Sequence, residues 1–351
     1  MHSIGVTHGV QAASLTAPTR PTVSVIVPVY NGGEAFRRCL EALRSTDPAP
    51  YELIVVADGD TDGSRDVARR FDAQVLEFAQ PNGPAVARNA GAAAASGEIL
   101  FFIDADVAVR HDTIGQVAAT FAADPSLTAL IGSYDDAPGA DDFLSQYKNL
   151  LHHFTHQTGR AETFTFWGAC GAIRRAAFLA SGGFDERYRK PSIEDIELGY
   201  RLSQAGNRLR LDKTLQVKHL KRWGALNLLR TDFFGRALPW TELIHRHGSM
   251  ANDLNLGLSS RLSVVAVYTL GASLLVAARR PQVLAVAGVL AGALVALNMP
   301  VYRFFFRKRG LRFTLGVIPW HWLYFGYSGL AFLIGSYRAK RIFGRRTRTV
   351  Q

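Results

Sequence analysis

A run of apolar residues that ends abruptly in two carboxylates constrains the fold of this chain more than any other feature. Phe101, Phe102 and Ile103 resemble the end of a buried strand, and Asp104 and Asp106 follow at once. In an open α/β sheet, ligands bind in the crevice outside the carboxyl ends of the strands. Two carboxylates there can hold a hard divalent cation and, through it, the phosphates of a nucleotide. Because Asp-x-Asp is also common in surface turns, the surrounding sequence has to decide between the two interpretations.

Apolar runs of strand length alternate with segments of helical spacing around this motif. Strands are predicted at residues 23–27, 52–57, 74–78 and 99–103, and helices at residues 36–43, 64–71, 84–95 and 113–122. Strand and helix in alternation indicate a parallel sheet covered by helices. Further along, residues 143–158 and 194–205 predict helices, and residues 207–211 predict a last strand.

Acidic residues recur where these elements end or begin. Asp58 follows the second predicted strand, and Glu194 and Asp195 begin a predicted helix. We expect them on the same face as Asp104 and Asp106. A carboxylate beside another tends to have a raised pKa, since like charges disfavour double ionisation. Glu194 and Asp195 could therefore supply a general base, although a simple acidic helix start that complements the helix macrodipole also explains them.

The positive charge of the chain belongs to its C-terminal part. The formal net charge is +11, yet residues 258–351 hold 14 of the 40 lysines and arginines and none of the 29 acidic residues. A nucleic-acid-binding domain would carry its basic residues as a patch on the folded domain. Here they punctuate long apolar runs, which is typical of membrane topology. We therefore expect a membrane as a partner and no nucleic acid.

An amphipathic segment precedes these apolar runs. Residues 223–257 mix leucine and phenylalanine with arginine, which suits a helix in the membrane interface or an ordinary helix packed on the domain. The runs themselves cover residues 262–278, 283–298 and 313–335, within a predicted transmembrane region at residues 258–337. A buried core hairpin is the alternative for the first two runs.

Two basic clusters bear on the topology. Residues 303–312 carry five basic residues, and residues 338–348, in a basic tail at 338–351, carry six. Both clusters should lie on the cytoplasmic side, but three complete spans would place them on opposite sides. One resolution is that residues 313–335, broken by Pro319, are re-entrant or interfacial, so both two and three spans stay open.

The N-terminus and the cysteines indicate a cytoplasmic catalytic domain. Residues 1–21 have neither the apolar core nor the charged start of a signal peptide, and they predict a mobile leader. Cys39 and Cys170 are too few for a disulfide framework or a zinc site. Both are expected to be buried free thiols in a reducing compartment.

Several short motifs together resemble those of the family 2 glycosyltransferases, which have the GT-A fold. The matching segments are VIVPVYN at 25–31, ADGDTDGS at 57–64, GPAVARNAG at 83–91, DAD at 104–106, GGFD at 182–185 and IEDIEL at 193–198. They follow the family's order over residues 22–225. The resemblance implies a GT-A domain at residues 22–222, with a Rossmann-like, mostly parallel sheet and flanking helices. It also implies a nucleotide diphosphate sugar as the donor and Mg²⁺ or Mn²⁺ as the cofactor.

The resemblance assigns donor-side residues by position. Pro28, Tyr30 and Asp58 are implied to line the pocket for the base and ribose. Arg88 is implied to lie near the donor, and Asp104 to meet the ribose or the sugar.

Metal, catalytic and acceptor residues follow in the same way. The resemblance implies Asp106 as the metal ligand and Asp195 as the inverting general base, with Glu194 beside it. The implied acceptor side comprises Trp167, Gly168, Arg222 and Trp223.

Two departures from the family pattern matter. The usual acidic pair after the second strand is Ala57-Asp58 here, so one carboxylate is missing. Processive members carry Gln-x-x-Arg-Trp, whereas this chain has His219 in place of the glutamine. His219 is a candidate metal or diphosphate contact, or else part of a surface basic cluster. The substitution indicates a non-processive enzyme.

Together these observations predict an inverting, metal-dependent glycosyltransferase at the cytoplasmic face of the cell membrane, attached by several spans. It would move one sugar to a lipid-linked or glycan acceptor. Two alternatives stay open: a polyprenyl-phosphate sugar synthase, and a non-catalytic membrane scaffold that binds a sugar nucleotide.

Overall fold

The computed structural model describes residues 20–247 and 256–346, with side chains as far as residue 341. Most of the predicted leader, the end of the basic tail and the last part of the predicted amphipathic segment lie outside the described residues.

Four parallel strands form the first half of a nine-stranded sheet. They are β1 (Val23–Val29), β2 (Glu52–Asp58), β3 (Gln74–Phe78) and β4 (Ile99–Ile103), in the spatial order β3-β2-β1-β4. The helices of this half are α1 (Gly33–Arg44), α2 (Ser64–Arg69), α3 (Pro84–Ala94) and α4 (Thr113–Ala123). The predicted alternation of strand and helix is confirmed here, and the carboxyl ends of β1, β2 and β4 meet at one edge.

The second half of the sheet is mixed. Its strands are β5 (Val107–Ala108), β6 (Leu127–Tyr134), β7 (Glu162–Thr163), β8 (Cys170–Arg174) and β9 (Arg208–His219). Strand β8 is antiparallel to both β4 and β6, while β9 is parallel to β6 and antiparallel to β5 and β7. The expectation of a mostly parallel sheet is therefore wrong for this half. A strand that is covered on both faces has the same apolar pattern whichever way it runs.

Two apolar cores lie on opposite faces of the sheet. Side chains alternate along β4, so that Phe101 joins the core that contains Phe36, and Phe102 joins the core that contains Phe178. Full burial of such a side chain contributes roughly 1.5–3 kcal/mol. All five residues of β4 are buried, so Asp104 is the first residue past the strand that can reach a ligand.

The remaining helices frame the site and the C-terminal part. Those of the catalytic domain are α5 (Phe143–Thr158), α6 (Arg175–Ala180) and α7 (Glu194–Gln204). They are followed by α8 (Ala225–Arg230), a π-helical segment (Thr231–Ala237) and α9 (Leu238–His247). The π-helical segment packs on the catalytic domain through Ser192, whose Oγ donates to the carbonyl of Gly235 at 2.9 Å.

Three apolar helices complete the described chain. They are α10 (Leu258–Ala277), α11 (Leu284–Leu297) and α12 (Met299–Arg346). By length and composition, α10 could cross a membrane, and the segments Pro281–Leu297 and Met299–Arg341, bent by 67° at their junction, form a second candidate. Large apolar side chains such as Leu262, Val265 and Val289 are exposed on these helices.

Helix α12 departs from expectation at its break. The helix continues through Pro319, and the interruption falls at Gly310, whose φ of 79° is readily accessible only to glycine. The expectation of a break at Pro319 is therefore wrong. Beside Gly310, Lys308 pairs with Asp136, and Arg309 Nε donates to Gln146 Oε1 at 2.8 Å. The basic cluster at 303–312 thus lies against the catalytic domain.

Candidate active site

A cleft of about 800 Å³ opens at the carboxyl ends of β1, β2 and β4. The structure brings nearly all the predicted site residues into its lining: Pro28, Tyr30, Asp58, Arg88, Asp104, Asp106, Trp167, Glu194, Asp195, His219, Arg222 and Trp223. Gly168 lies directly behind this lining. Residues that are up to 195 positions apart in the sequence therefore meet where an open α/β sheet binds its ligands.

Arg88 joins two acidic motifs in this cleft. Its buried guanidinium lies 2.7 Å from Asp104 (Nη2 to Oδ1) and 2.8 Å from Glu194 (Nη1 to Oε1). Burial opposes the charge of Arg88, but the two carboxylates outweigh burial, and the pKa of Arg88 is raised above its usual range. Arg88 lines the cleft, and its side chain binds protein carboxylates and fixes their positions.

Asp195 has different surroundings from its neighbour Glu194. Its carboxylate accepts backbone N–H groups from Gly168 (2.9 Å) and Ile196 (2.8 Å). Within the described chain, it has no cation at ion-pair distance, whereas Glu194 is held by Arg88. Burial and the charge of Glu194 raise the pKa of Asp195 to about 6. A carboxylate with that pKa can accept a proton near neutral pH.

Gly168 makes the close packing of these groups possible. A Cβ atom at this position would lie 3.0 Å from the Cζ and Nη2 atoms of Arg88, and so would press on the guanidinium. The N–H of Gly168 binds Asp195 at the same time. Gly168 therefore holds Asp195 close to the ion pairs of Arg88.

Asp106 and His219 lie next to each other in the cleft. Asp106 Oδ2 lies 3.7 Å from His219 Nε2, and the imidazole stacks on Tyr134 with ring centroids 4.2 Å apart. The pairing of β5 with β9 sets this geometry, because Val107 lies opposite His219 in the ladder. Burial acts to raise the pKa of Asp106, but the His219 ring outweighs it and the pKa is lowered.

This pair suits a divalent cation that a ligand helps to hold. A carboxylate and an imidazole are both common ligands of Mn²⁺, and Mg²⁺ is usually bound by one or two carboxylates together with phosphates and water. Among the residues that the structure describes, no group of three or more His, Cys, Asp or Glu side chains is arranged to hold a metal. Asp106 and His219 would therefore provide two ligands and leave the other positions to phosphate oxygens and water.

Asp58 organises the loop that precedes α3. Its two carboxylate oxygens accept the backbone N–H groups of Asn82 (2.7 Å) and Gly83 (2.8 Å). Its neighbour Ala57 is buried in the apolar core. Asp58 lines the cleft, with both of its oxygens already bound to this loop.

The predicted acceptor side is built from aromatic and basic residues. The ring of Trp167 packs against Tyr134 and His152, with centroids 4.8 and 5.0 Å apart. Trp223 is buried, and its backbone N–H donates to Ser145 Oγ at 2.7 Å. The side chain of Arg222 is 77% exposed and lies 3.2 Å from Asp142.

Three further cleft residues were missed by the sequence analysis. Lys148 and His152 lie one turn apart on α5, and Arg236 comes from the π-helical segment. Burial lowers the pKa of His152 well below its usual range, so the ring is neutral at pH 7. The i, i+4 spacing of Lys148 and His152 predicts that both side chains lie on one face of α5. The sequence does not show that this face meets the cleft.

Part of the chain is similar in sequence to known glycosyltransferases. Residues 24–181 match the family model described as glycosyl transferase family 2. The pre-mycofactocin glycosyltransferase of Mycobacterium tuberculosis is 28% identical over 63% of this chain and 47% of its own length. The validoxylamine A glucosyltransferase of Streptomyces hygroscopicus subsp. limoneus is 30% identical over 53% of this chain and 49% of its own length. The chain thus spans about half the length of these curated relatives.

A solved structure shares the fold over most of the chain. The mannosyltransferase PcManGT of Pyrobaculum calidifontis, in complex with GDP-Man and Mn²⁺, aligns over 92% of this chain and 91% of its own with a TM-score of 0.55 and 18% identity. Fold and sequence both resemble those of glycosyltransferases: the structure has a GT-A-like fold, and residues 24–181 are similar to glycosyl transferase family 2.

Proposed function

We propose that this protein is an inverting, metal-dependent glycosyltransferase that transfers one sugar from a nucleotide diphosphate sugar to an acceptor at a membrane surface. The observation that carries the proposal is the meeting of Asp104, Asp106, Asp195 and His219 in one cleft at the carboxyl edge of the sheet. Similar proteins of the family act as glycosyltransferases, and one of similar fold is complexed with GDP-Man and Mn²⁺.

The donor lies along the edge formed by β1, β2 and β4. Pro28 and Tyr30 form the wall for the base, and the loop fixed by Asp58 closes that end of the cleft. Asp104, held by Arg88, meets the ribose or sugar. Asp106 and His219 would hold Mg²⁺ or Mn²⁺, and the bound cation would supply positive charge to stabilise the leaving diphosphate.

Asp195 is the general base of the reaction. It accepts the proton of the acceptor hydroxyl as that oxygen bonds to the anomeric carbon, and the bond from this carbon to the diphosphate breaks on the opposite side. A single displacement of this kind inverts the anomeric configuration. Glu194 cannot take this part while Arg88 binds it, but its charge helps to raise the pKa of Asp195.

Membrane attachment is part of the proposal. The exposed apolar side chains of α10, α11 and α12 support it, as does the absence of acidic residues from residues 258–351. The basic cluster at 303–312 lies on the catalytic domain, so the domain and this cluster share one side of the membrane. By the positive-inside rule that side is the cytoplasm. The multi-pass arrangement, with two or three spans, stays a prediction.

Donor cleavage tests this function. Purified protein with Mn²⁺ is expected to release nucleoside diphosphate from at least one member of a panel of UDP-, GDP- and dTDP-sugars when acceptor lipids are present. Chelation with EDTA and the substitution Asp106→Ala should each reduce the rate by at least 100-fold, because both remove the cation that stabilises the diphosphate. The matched control is Asp112→Ala, at an exposed position outside the cleft. Failure to cleave any donor, or full activity in Asp106→Ala, would contradict the proposal.

A further inference from the structure

A basic segment, residues 187–192, runs along the cleft between α6 and α7. Its residues Arg189 and Lys190 both line the cavity. Both side chains are exposed, and neither has an ion-pair partner among the residues that the structure describes. Arg187 differs from them, since it pairs with Asp185 at 2.6 Å. Two cations of the basic segment are therefore free to bind an anion in the cleft.

Hydrogen bonds on both sides of the basic segment fix its path. Before it, Asn89 Oδ1 accepts the N–H of Phe184, and Asn89 Nδ2 donates to the carbonyl of Phe184, each at 2.9 Å. At its end, the N–H of Ser192 donates to Glu194 Oε2 at 3.0 Å. The backbone that carries the two free cations is therefore anchored to α3 at one end and to α7 at the other.

The middle of the basic segment packs on the loop that Asp58 organises. A Cβ atom on Gly83 would collide with the carbonyl oxygen of Arg189, so this close approach requires glycine. Gly83 also donates its N–H to Asp58. The segment therefore extends from the nucleotide end of the proposed donor site to Glu194 at the start of α7. A donor that lies along this edge is expected to pass close to the two free cations.

The leaving group adds negative charge to this part of the cleft. When its bond to the sugar breaks, the nucleoside diphosphate gains one negative charge relative to the intact donor, and fixed cations nearby stabilise that charge. The divalent cation proposed at Asp106 and His219 would offset only part of it, because Asp106 is itself negative. Arg88 is already bound to Asp104 and Glu194. The two cations of the basic segment remain, and a guanidinium can bind phosphate oxygens in a bidentate manner.

We propose that Arg189 and Lys190 are positioning residues for the diphosphate, and that they stabilise the leaving nucleoside diphosphate more than the intact donor. This inference deepens the proposed function and rests on it for the position of the donor. Both residues lie outside the sequence motifs on which the family resemblance depends. Their contribution is electrostatic, so no covalent bond to either residue forms or breaks.

Nucleotide binding tests this role without any need for turnover. The probes are UDP, GDP and dTDP, titrated by calorimetry into the full chain with Mn²⁺. For the nucleoside diphosphate that binds most tightly, the double variant Arg189→Ala/Lys190→Ala should lose at least tenfold in affinity. Its affinity should also depend less on salt concentration than that of the wild type. The charge-preserving variant Arg189→Lys/Lys190→Arg should restore most of the affinity. The matched control Arg187→Ala lies in the same segment and should bind like the wild type.

Single-turnover kinetics test the preference for the leaving group. The rate of donor cleavage at saturating donor should fall at least tenfold in the double variant, while the affinity for the intact donor changes by less than about threefold. Equal losses of affinity for donor and nucleoside diphosphate would contradict this preference.

The same measurements separate this inference from the proposed function. Unchanged nucleotide affinity in the double variant, together with a loss in Asp106→Ala, would overturn the inference and leave the proposed function standing. A wild-type protein that binds no nucleoside diphosphate would overturn both.

Discussion

Replacing Asp195 with asparagine is expected to lower kcat by a factor of about 10² to 10⁴, the usual contribution of a general base. The asparagine side chain keeps the shape of the aspartate, and its carbonyl oxygen can still accept the N–H of Gly168 or Ile196. It cannot accept the proton of the acceptor hydroxyl. The donor KM should stay within about twofold, because in the proposed mechanism Asp195 acts on the acceptor hydroxyl and does not bind the donor.

The wild-type pH profile gives an independent check on Asp195. A base acts when it is deprotonated, and the pKa of Asp195 is raised to about 6 by burial and by Glu194. The rate should therefore rise through pH 6 and level off above pH 7. The residual activity of Asp195→Asn should not show this rise.

The Asp195 carboxyl group affects stability in the opposite direction: as the pH rises, the rate should increase but the stability of the fold should decrease. A carboxyl group whose pKa is higher in the folded state than in the unfolded state stabilises the fold when it is protonated, and that contribution is lost as the pH rises from about 4 to 6. Asparagine stays neutral throughout this range. Asp195→Asn removes a buried charge but also loses one of the two backbone hydrogen bonds, so its melting temperature at pH 7 should stay close to that of the wild type, which separates its loss of rate from unfolding. The control is Asp66→Asn on the surface of α2, which should alter neither rate nor profile.

Replacing Arg88 with methionine is expected to have the largest effect on stability of any change in the cleft. Methionine fills much of the same volume but leaves Asp104 and Glu194 without their shared cation. Removing one partner of a buried ion pair costs about 3–5 kcal/mol, mostly because the remaining charge is buried and uncompensated. Urea unfolding at pH 7 measures this loss.

A double substitution separates the ion pair from simple packing. Adding Glu194→Gln to Arg88→Met removes one of the uncompensated charges and should restore part of the lost stability, but not activity, because Asp104 still lacks the cation that fixes its position. Arg187→Met, which breaks an ion pair whose arginine is largely exposed, is the control and should cost less than about 1 kcal/mol. A loss from Arg88→Met as small as that of the control would show that Arg88 does not hold the acidic motifs together.

The acidic residues could be predicted from the sequence because each follows or begins a regular element. Asp104 and Asp106 directly follow a fully buried strand, and Asp195 opens a helix, so local patterns place all three. The contact between Arg88 and Glu194 spans 106 residues, and no local pattern encodes it. The charge of Arg88 was visible in the sequence, but its partners depend on how α3 and α7 meet beneath the cleft.

The cationic side of the cleft was hidden for a different reason. Arg236 lies in a segment whose mixture of basic and apolar residues indicated a membrane-facing helix, and its neighbour Phe234 is indeed exposed. The π-helical geometry changes which side chains share a face, and it directs Asp232 to Lys148. Helical periodicity assumes 3.6 residues per turn, so it cannot foresee that arrangement. The antiparallel direction of β8 was not predicted either, because the apolar pattern of a buried strand does not show which way the strand runs.

The anomeric configuration of the product tests the central claim most directly. The reaction is started with a donor of known configuration and followed before the product can equilibrate. Proton NMR then reports the coupling constant of the anomeric proton. If Asp195 is the single base and the diphosphate leaves on the opposite side of the sugar, as proposed, the product has the configuration opposite to that of the donor. A product with the donor's own configuration would contradict this account, because one in-line displacement cannot retain it.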